Sequence, residues 1–321
     1  MGRIIYFAFS DGGVAGGHKM IFRHVETLRD LGFDAFAYVG AQNVVPAWFE
    51  HRAPVLVGVP VSPDDVLVAP GDAAKSLAQA ARLDQRTVIF SQGHTPSASE
   101  AVSAIDLFPP DRLPPFMAVG PMLATVTRRL FPQAEVEVVP CFADERRFRP
   151  AADRRRAVAV TPHKRPQELG LIRDLFRRFH PVQADLPWLE LVGRPEAEVA
   201  DAFGISTLHL ALARVESVGI TTLEAMAGGC VCAGFRGVGG REYATADNGF
   251  WVDDEDCVAA ADALQRADDL ARTGGPALAR MLEASRQTAA QWSHAVFRDA
   301  LEAFWMRHAP DLRRRAGPLD A

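Results

Sequence analysis

Two glutamates, Glu216 and Glu224, stand eight positions apart in VESVGITTLEAMAGG, residues 215–229. Upstream, STLHLALA (206–213) runs together in apolar residues as a buried strand does. Downstream, Leu223, Met226 and Ala227 recur at helical spacing until Gly228 and Gly229 stop the pattern. The stretch therefore predicts strand, loop and helix. Glu216 falls in the loop beyond the strand's carboxyl end, Gly219 near the turn into the helix, and Glu224 in its first or second turn. A helix start offers unpaired N–H groups and the positive end of the dipole, which together stabilise an anion such as phosphate. Each acid also has a plainer use. A first-turn glutamate is favoured by the dipole alone, by about 0.3–1 kcal/mol, and a loop glutamate can simply be solvated.

Other residues could join such a site. Gly12, Gly13, Gly16 and Gly17 make a glycine-rich loop after the first apolar run. Glycine has no Cβ, so backbone there can approach a ligand closely, or simply turn tightly into a helix. His94, in SQGHTPS, lies just beyond another apolar run; a lone histidine is more often structural. The acidic run VDDED (252–256) could hold a divalent cation, but it directly precedes an alanine-rich helical stretch, where acids cap the N-terminus. Capping is the favoured reading. Lys164 is one of only three lysines, beside Lys19 and Lys75, while arginine supplies the remaining positive charge. The cysteines Cys141, Cys230, Cys232 and Cys257 form no CxxC pair. They suggest buried thiols rather than a zinc site or disulfide framework, as suits a reducing cytoplasm.

The surrounding elements must position these groups. A chain of 321 residues, 48% hydrophobic, fits two domains of about 150 residues. Its net charge of −5 disfavours a nucleic acid partner. The opening IIYFAF is too short for a signal core, and PFMAVGPMLATV falls well short of a bilayer span. Strands are expected at 3–10, 34–40, 65–70, 87–93, 115–120 and 135–140, and a helix over 21–32. PCFADERRFRPAADRRR (140–156), arginine-rich and bracketed by prolines, suits an interdomain connection. The alternation then restarts with strands at 157–161, 189–193, 206–213 and 230–235. NGFWVDDED reads as turns, and one long terminal helix is expected over 289–308. Strands alternating with helices imply parallel sheets covered on both faces, with ligands at the strands' carboxyl ends.

The motifs together resemble the retaining glycosyltransferases of family 4. ESVGITTLEAMAGG is similar to that family's E-x7-E signature. DGGVAGGHK resembles its glycine loop, VVPCFADERRFRP its interdomain segment, and TPHKRPQE its phosphate loop. RGVGGREY resembles its V-G-G-x-x-E turn and NGFWVDDED its N-G…D segment. Three features depart from the pattern. The loop reads E-S-V-G rather than E-G-F-G, Cys141 and Phe142 replace an asparagine and a glycine, and no G-R precedes Lys164. The chain is also short for the family, which implies a trimmed acceptor domain.

The resemblance implies an α/β protein of GT-B fold, with two Rossmann-like α/β/α domains whose parallel sheets face across a cleft. Residues 1–143 would be the acceptor side, with a helix at about 292–310 packing back on it, and 144–291 would bind the nucleotide sugar. Glu224 would hold the ribose, and Glu216 would lie beside the transferred sugar. The amides of Gly219, Ile220 and Thr221 would face the diphosphate, as would Lys164 and Arg165, the counterpart proposed for the family's arginine. Gly16 and Gly17 would approach the donor, and His94 would contact the sugar or acceptor. The implied activity is retaining, metal-independent transfer of a hexose from a nucleotide diphosphate sugar to a glycan, lipid-linked or small-molecule acceptor. It needs no cofactor and belongs to polysaccharide biosynthesis in the cytoplasm, with membrane contact at the inner face left open. A sugar-nucleotide-binding homologue without turnover and a nucleotide-sugar epimerase are the alternatives. A dehydrogenase fits less well, since no proper G-x-G-x-x-G follows the first strand.

Overall fold

The computed structural model of the chain describes residues 2–10, 12–93 and 98–313. Two compact units divide it, one of Met1–Cys141 with Phe297–Ala321 and one of Phe142–Val296.

Short runs of branched and aromatic residues form a seven-stranded parallel sheet in the first unit. The strands are β1 (Ile4–Ala8), β2 (Ala35–Val39), β3 (Val55–Val57), β4 (Val66–Pro70), β5 (Thr87–Ser91), β6 (Phe116–Ala118) and β7 (Val136–Val138). Their spatial order is β3-β2-β1-β4-β5-β6-β7. Helices α1 (Gly16–Asp30), α2 (Ala74–Arg82), α3 (Ala98–Ile105) and α4 (Pro121–Leu130) are the crossovers. Ile4, Ile5 and Tyr6 of the interior strand β1 are fully buried, as a strand covered on both faces must be. The order reverses between β1 and β4, so the sheet's switch point lies at their carboxyl ends.

The second unit repeats the plan with five parallel strands: β8 (Arg155–Val160), β9 (Trp188–Glu190), β10 (Ser206–Leu212), β11 (Val231–Phe235) and β12 (Gly249–Val252). Their order is β12-β11-β10-β8-β9. Around them lie α5 (Pro166–Phe179), α6 (Glu196–Ile205), α7 (Ile220–Ala227), α8 (Cys257–Thr273) and α9 (Gly275–Gln291). Val158 and Val160, Leu208 and Leu210, and Val231 and Ala233 pack with Ile172, Phe176 and Leu264 into one buried cluster. Here the switch point falls between β8 and β10.

The last helix, α10 (His294–His308), carries Phe297, Leu301, Phe304 and Trp305 into the core of the first unit. Trp305 Nε1 donates to Tyr6 Oη at 3.3 Å, and the Arg86 guanidinium donates to the His308 carbonyl at 2.5 Å.

Four elements differ from the sequence expectation. Helix α1 begins at Gly16, five residues early, because the amides of His18 and Lys19 already bond the carbonyl of Ala15. The expected terminal helix is two, since Trp292 and Ser293 part α9 from α10 and the Ser293 hydroxyl accepts from Val296 N. Strand β12 lies inside the stretch read as turns, starting at Gly249 after the Asn248 turn. Trp251 Nε1 folds back there onto the Thr245 carbonyl. The short edge strand β3, three residues only, was not anticipated.

The arginine-rich segment is fastened to the second unit. Arg154 donates to the Gly229 carbonyl at 2.6 Å and also to the Ser206 carbonyl, while Arg156 forks onto the fully buried Asp268 at 2.9 Å. Gly229 has φ +82°, and a Cβ there would lie 2.7 Å from Arg154 Nη1, so the glycine that stops α7 is needed sterically as well as conformationally.

Candidate functional site

In an open parallel sheet, loops on either side of the switch point splay apart and leave a crevice at the strands' carboxyl ends. In the second unit those are the loops after β8 and β10. The first is PHKR, a turn closed by Arg165 N donating to the Pro162 carbonyl at 2.8 Å. The second carries Glu216. The two loops meet, with Lys164 Nζ 2.8 Å from Glu216 Oε1. The pair is partly open to solvent, the side chains being 39% and 20% exposed. Arg214 N donates to the other oxygen of Glu216 at 2.5 Å. Burial pushes the Glu216 carboxyl up, but the bond and charge of Lys164 and the backbone N–H groups of Arg214 and Glu216 outweigh it. The group is held below its ordinary range and is a carboxylate at neutral pH. His163, not singled out in the sequence, adjoins the pair. Desolvation and the Lys164 charge push its imidazole down, against the pull of Glu216. Only its place before Lys164 could have pointed to it.

The loop continues into α7 through Gly219, whose φ of +78° is a left-handed cap that favours glycine. The cap residue is a glycine and offers no capping side chain of its own, and the first amides of the helix are those of Ile220 and Thr221. Two aromatic and glycine contacts fix the loop. Tyr243 Oη donates to the Gly219 carbonyl at 2.9 Å. Gly239 lies so close beneath that a Cβ there would come within 2.6 Å of Glu216 O, Ser217 C and Val218 N. Glu224 sits in the second turn of α7 and is only 5% exposed, deeper than a surface acid of a helix start.

Arg165 is placed differently from Lys164. It is 1% exposed, and its guanidinium is turned inward. Nε donates to the Ala213 carbonyl at 3.1 Å, and Nη1 reaches Glu168 at 3.1 Å and Glu255 at 3.4 Å. Its plane lies over the Phe235 ring, 4.9 Å from the centroid. Three of the four acids of the VDDED run are occupied. Asp254 accepts from Gly237 N, Glu255 pairs with Arg165, and Asp256 caps α8 by accepting from Ala259 N at 2.9 Å. Among the described residues no group of three or more potential ligands is gathered for a metal.

In the first unit, Gly16 and Gly17 open α1 beyond β1, and Gln92 Nε2, beyond β5, donates to the Gly17 carbonyl at 2.9 Å. The glycine loop and the end of β5 are thereby joined. A pocket lies nearby between α3 and α4, with Asp72, Ser91 and Gln92 at its polar end and Phe116, Leu130 and Phe131 at its apolar end. His94 lies outside the described residues. All four cysteines are free and buried. Among the described residues no helix is long and apolar enough to cross a membrane.

No protein-family model matches the chain. Over 243 residues it is 23% identical to the alpha-1,6-glucosyltransferase of Actinobacillus pleuropneumoniae serotype 7, spanning 73% of this chain and 72% of that one. Among solved structures it is similar to sucrose-phosphate synthase from Thermosynechococcus elongatus. The TM-score is 0.69 at 12% identity, covering 96% of this chain and 99% of that one. HepE of Anabaena, determined in complex with UDP, superposes with a TM-score of 0.68 at 14% identity over 95% and 100% of the two chains. The two parallel-sheet α/β units and these neighbours establish the GT-B fold.

Proposed function

We propose that this protein is a retaining, family-4-like glycosyltransferase that moves a hexose from a nucleotide diphosphate sugar to a hydroxyl of a glycan or glycan-like acceptor. The observation that carries the reading is the 2.8 Å pairing of Lys164 with Glu216 at the switch point. Sequence motifs 52 positions apart chose both residues, and the fold brings them to the place where such sheets bind ligands. The glucosyltransferase relative and the UDP-bound neighbour support the same chemistry.

In this reading the donor's diphosphate lies between Lys164 and the amides of Ile220 and Thr221. The bond from the anomeric carbon to phosphate oxygen breaks with its electron pair on the diphosphate. Lys164 and the start of α7 hold that growing negative charge, which preorganised cations and dipoles do without reorganisation. The acceptor oxygen bonds to the same carbon, and its proton leaves with the diphosphate. Glu216, kept ionised by its surroundings, accepts hydrogen bonds from the sugar as positive character grows. Glu224 accepts bonds from the ribose hydroxyls, a task for an acceptor-only carboxylate. Gly16 and Gly17 would approach the donor, and His94 would contact the transferred sugar or the acceptor. The reaction as written uses no metal and no cofactor, and it suits polysaccharide synthesis at the cytoplasmic side, in solution or on the membrane face.

The test is a thermal-shift series with UDP, GDP, dTDP and ADP, followed by turnover of the matching sugar nucleotides. At 100 times its Kd a ligand stabilises by about 2.7 kcal/mol, a shift of several degrees. Failure of all four at millimolar concentration removes the reading. Binding without turnover selects the non-catalytic homologue instead.

A further inference from the structure

The second unit's site depends on four loops that leave four different strand ends: 161–165 after β8, 213–219 after β10, 236–240 after β11 and 253–256 after β12. Parallel strands set their own register through the ladder, but beyond the last ladder bond the loops depend on contacts between one another, such as Val238 N with the Arg214 carbonyl and Gly237 N with Asp254. In the order β12-β11-β10-β8 these ends lie side by side. One side chain crosses the row. Arg165 leaves the β8 loop, donates to the carbonyl of Ala213 just past β10, covers the ring of Phe235 at the end of β11, and pairs with Glu255 in the β12 loop. A further bond to Glu168 in the first turn of α5 ties it to its own helix.

We infer that Arg165 is the positioning residue of the donor site: it binds no phosphate itself but holds the Lys164 turn and the Glu216 loop at the separation the diphosphate needs. This rests on the proposed function, and it assigns to Arg165 a task other than the phosphate contact implied by resemblance. Three features of the geometry support it. The guanidinium is 1% exposed, and its Nε and Nη1 are engaged by the Ala213 carbonyl, Glu168 and Glu255, so these donors serve protein acceptors rather than a ligand. Its immediate neighbour in the chain is Lys164, and its acceptor Ala213 is three residues from Glu216, so both members of the ion pair hang from the two ends of one side chain. The arrangement also uses what only arginine has, a planar fork for three acceptors and a flat face for an aromatic ring. A lysine in its place keeps the charge beside Glu168 and Glu255 but cannot reach the Ala213 carbonyl and cover Phe235 together.

A merely structural arginine and a positioning one differ in how they couple to Lys164. The experiment is a double-mutant cycle with Lys164→Ala, Arg165→Lys and both together, read by calorimetric titration of UDP, GDP, dTDP and ADP, with circular dichroism and a melt for each protein. Arg165→Lys is expected to fold and to lose about 10-fold in nucleoside diphosphate affinity. Lys164→Ala is expected to cost about 10-fold in the wild-type background but less than about 3-fold once Arg165 is replaced, because the ammonium is already out of place. Glu255→Gln, a change at a solvent-exposed partner, should weaken binding by about 2-fold to 3-fold without unfolding, and it stands in should Arg165→Lys fail to fold. Additive losses, or unchanged affinity in both Arg165→Lys and Glu255→Gln, overturn the inference while leaving the donor site intact. If the wild type binds none of the four nucleotides, the proposed function falls and the inference with it.

Discussion

The position of the Glu216 loop can be tested by filling the space beneath it. In Gly239→Ala the new Cβ would lie 2.4 Å from Val218 N, 2.5 Å from Ser217 C and 2.6 Å from Glu216 O. All three are backbone atoms of the loop that presents Glu216, so no flexible side chain can swing aside. Ordinary contact begins at 3.4 Å, and 3.4 − 2.4 requires the loop to retreat by about 1 Å. Overpacking of this kind costs about 1–3 kcal/mol of stability, which in a unit of this size lowers Tm by roughly 2–4 °C per kcal/mol. The catalytic effect should be larger in proportion. A reacting group displaced by about 1 Å loses on the order of 100-fold in rate, about 2.7 kcal/mol of barrier. The assay compares kcat and Tm for Gly239→Ala and Gly240→Ala. In the second variant the nearest atom is Arg236 Cβ at 3.1 Å and the loop is not touched. A Gly239→Ala protein that melts early yet turns over at the wild-type rate would show that the loop's position does not govern the chemistry, as would an equal rate loss in Gly240→Ala.

Lys164→Ala should lower kcat about 100-fold to 1,000-fold while Tm hardly moves, since a partly exposed ion pair is worth only about 0.2–1 kcal/mol; equal turnover at saturating donor would make Lys164 an ordinary surface residue. Glu216→Gln should depress kcat with little change in nucleoside diphosphate affinity, whereas Glu224→Gln should raise KM and weaken that affinity; the opposite pattern in calorimetry and turnover would reverse the two roles. Burial pushes His24 in the first unit down to about 3, and His209 in the second down to about 4 against the pull of the Ala159 carbonyl. The unfolded chain takes up these protons near pH 6.5 and the folded one does not, so stability is full above 6.5 and falls below it. The expected slope is about 1.4 kcal/mol per pH unit for each histidine, and urea titrations of equal midpoint at pH 7.5 and 5.5 would contradict it.

How far the sequence could be read depended on the range of the interactions that shape each part. Apolar alternation is local, so β1, β4, β8, β10 and β11 lie where their residue patterns place them. The loop-to-helix step at Gly219 was legible for the same reason, because a glycine after a strand and before a helical period needs no distant partner. Where a distant partner decides, the pattern misleads. Gly249 to Val252 pairs with β11 and so becomes a strand, although Asn248 and Gly249 spell a turn. Trp292 breaks a helical period that continues on both sides of it. Glu224, expected in the first or second turn, lies in the second, but its burial there is not written in the local pattern, which suits a surface acid equally well. The environment of Arg165 was the least accessible of all. Three of its four contacts, Ala213, Phe235 and Glu255, lie 48 to 90 positions away, and nothing in HKRP distinguishes a side chain that faces outward from one that crosses a sheet.

The buried cysteines have a practical corollary. Burial pushes the Cys230 thiol up to about 12, drives that of Cys232 well above its ordinary value and raises that of Cys257, while Cys141 is enclosed in the core. The thiolate is the nucleophile that attacks maleimides and disulfide reagents, so the folded chain offers them almost nothing at neutral pH. A cysteine introduced at Val215, which is 57% exposed and precedes Glu216, would be the reactive thiol of the protein. A fluorophore placed there could follow the Glu216 loop in real time, with every native cysteine left in its packed site.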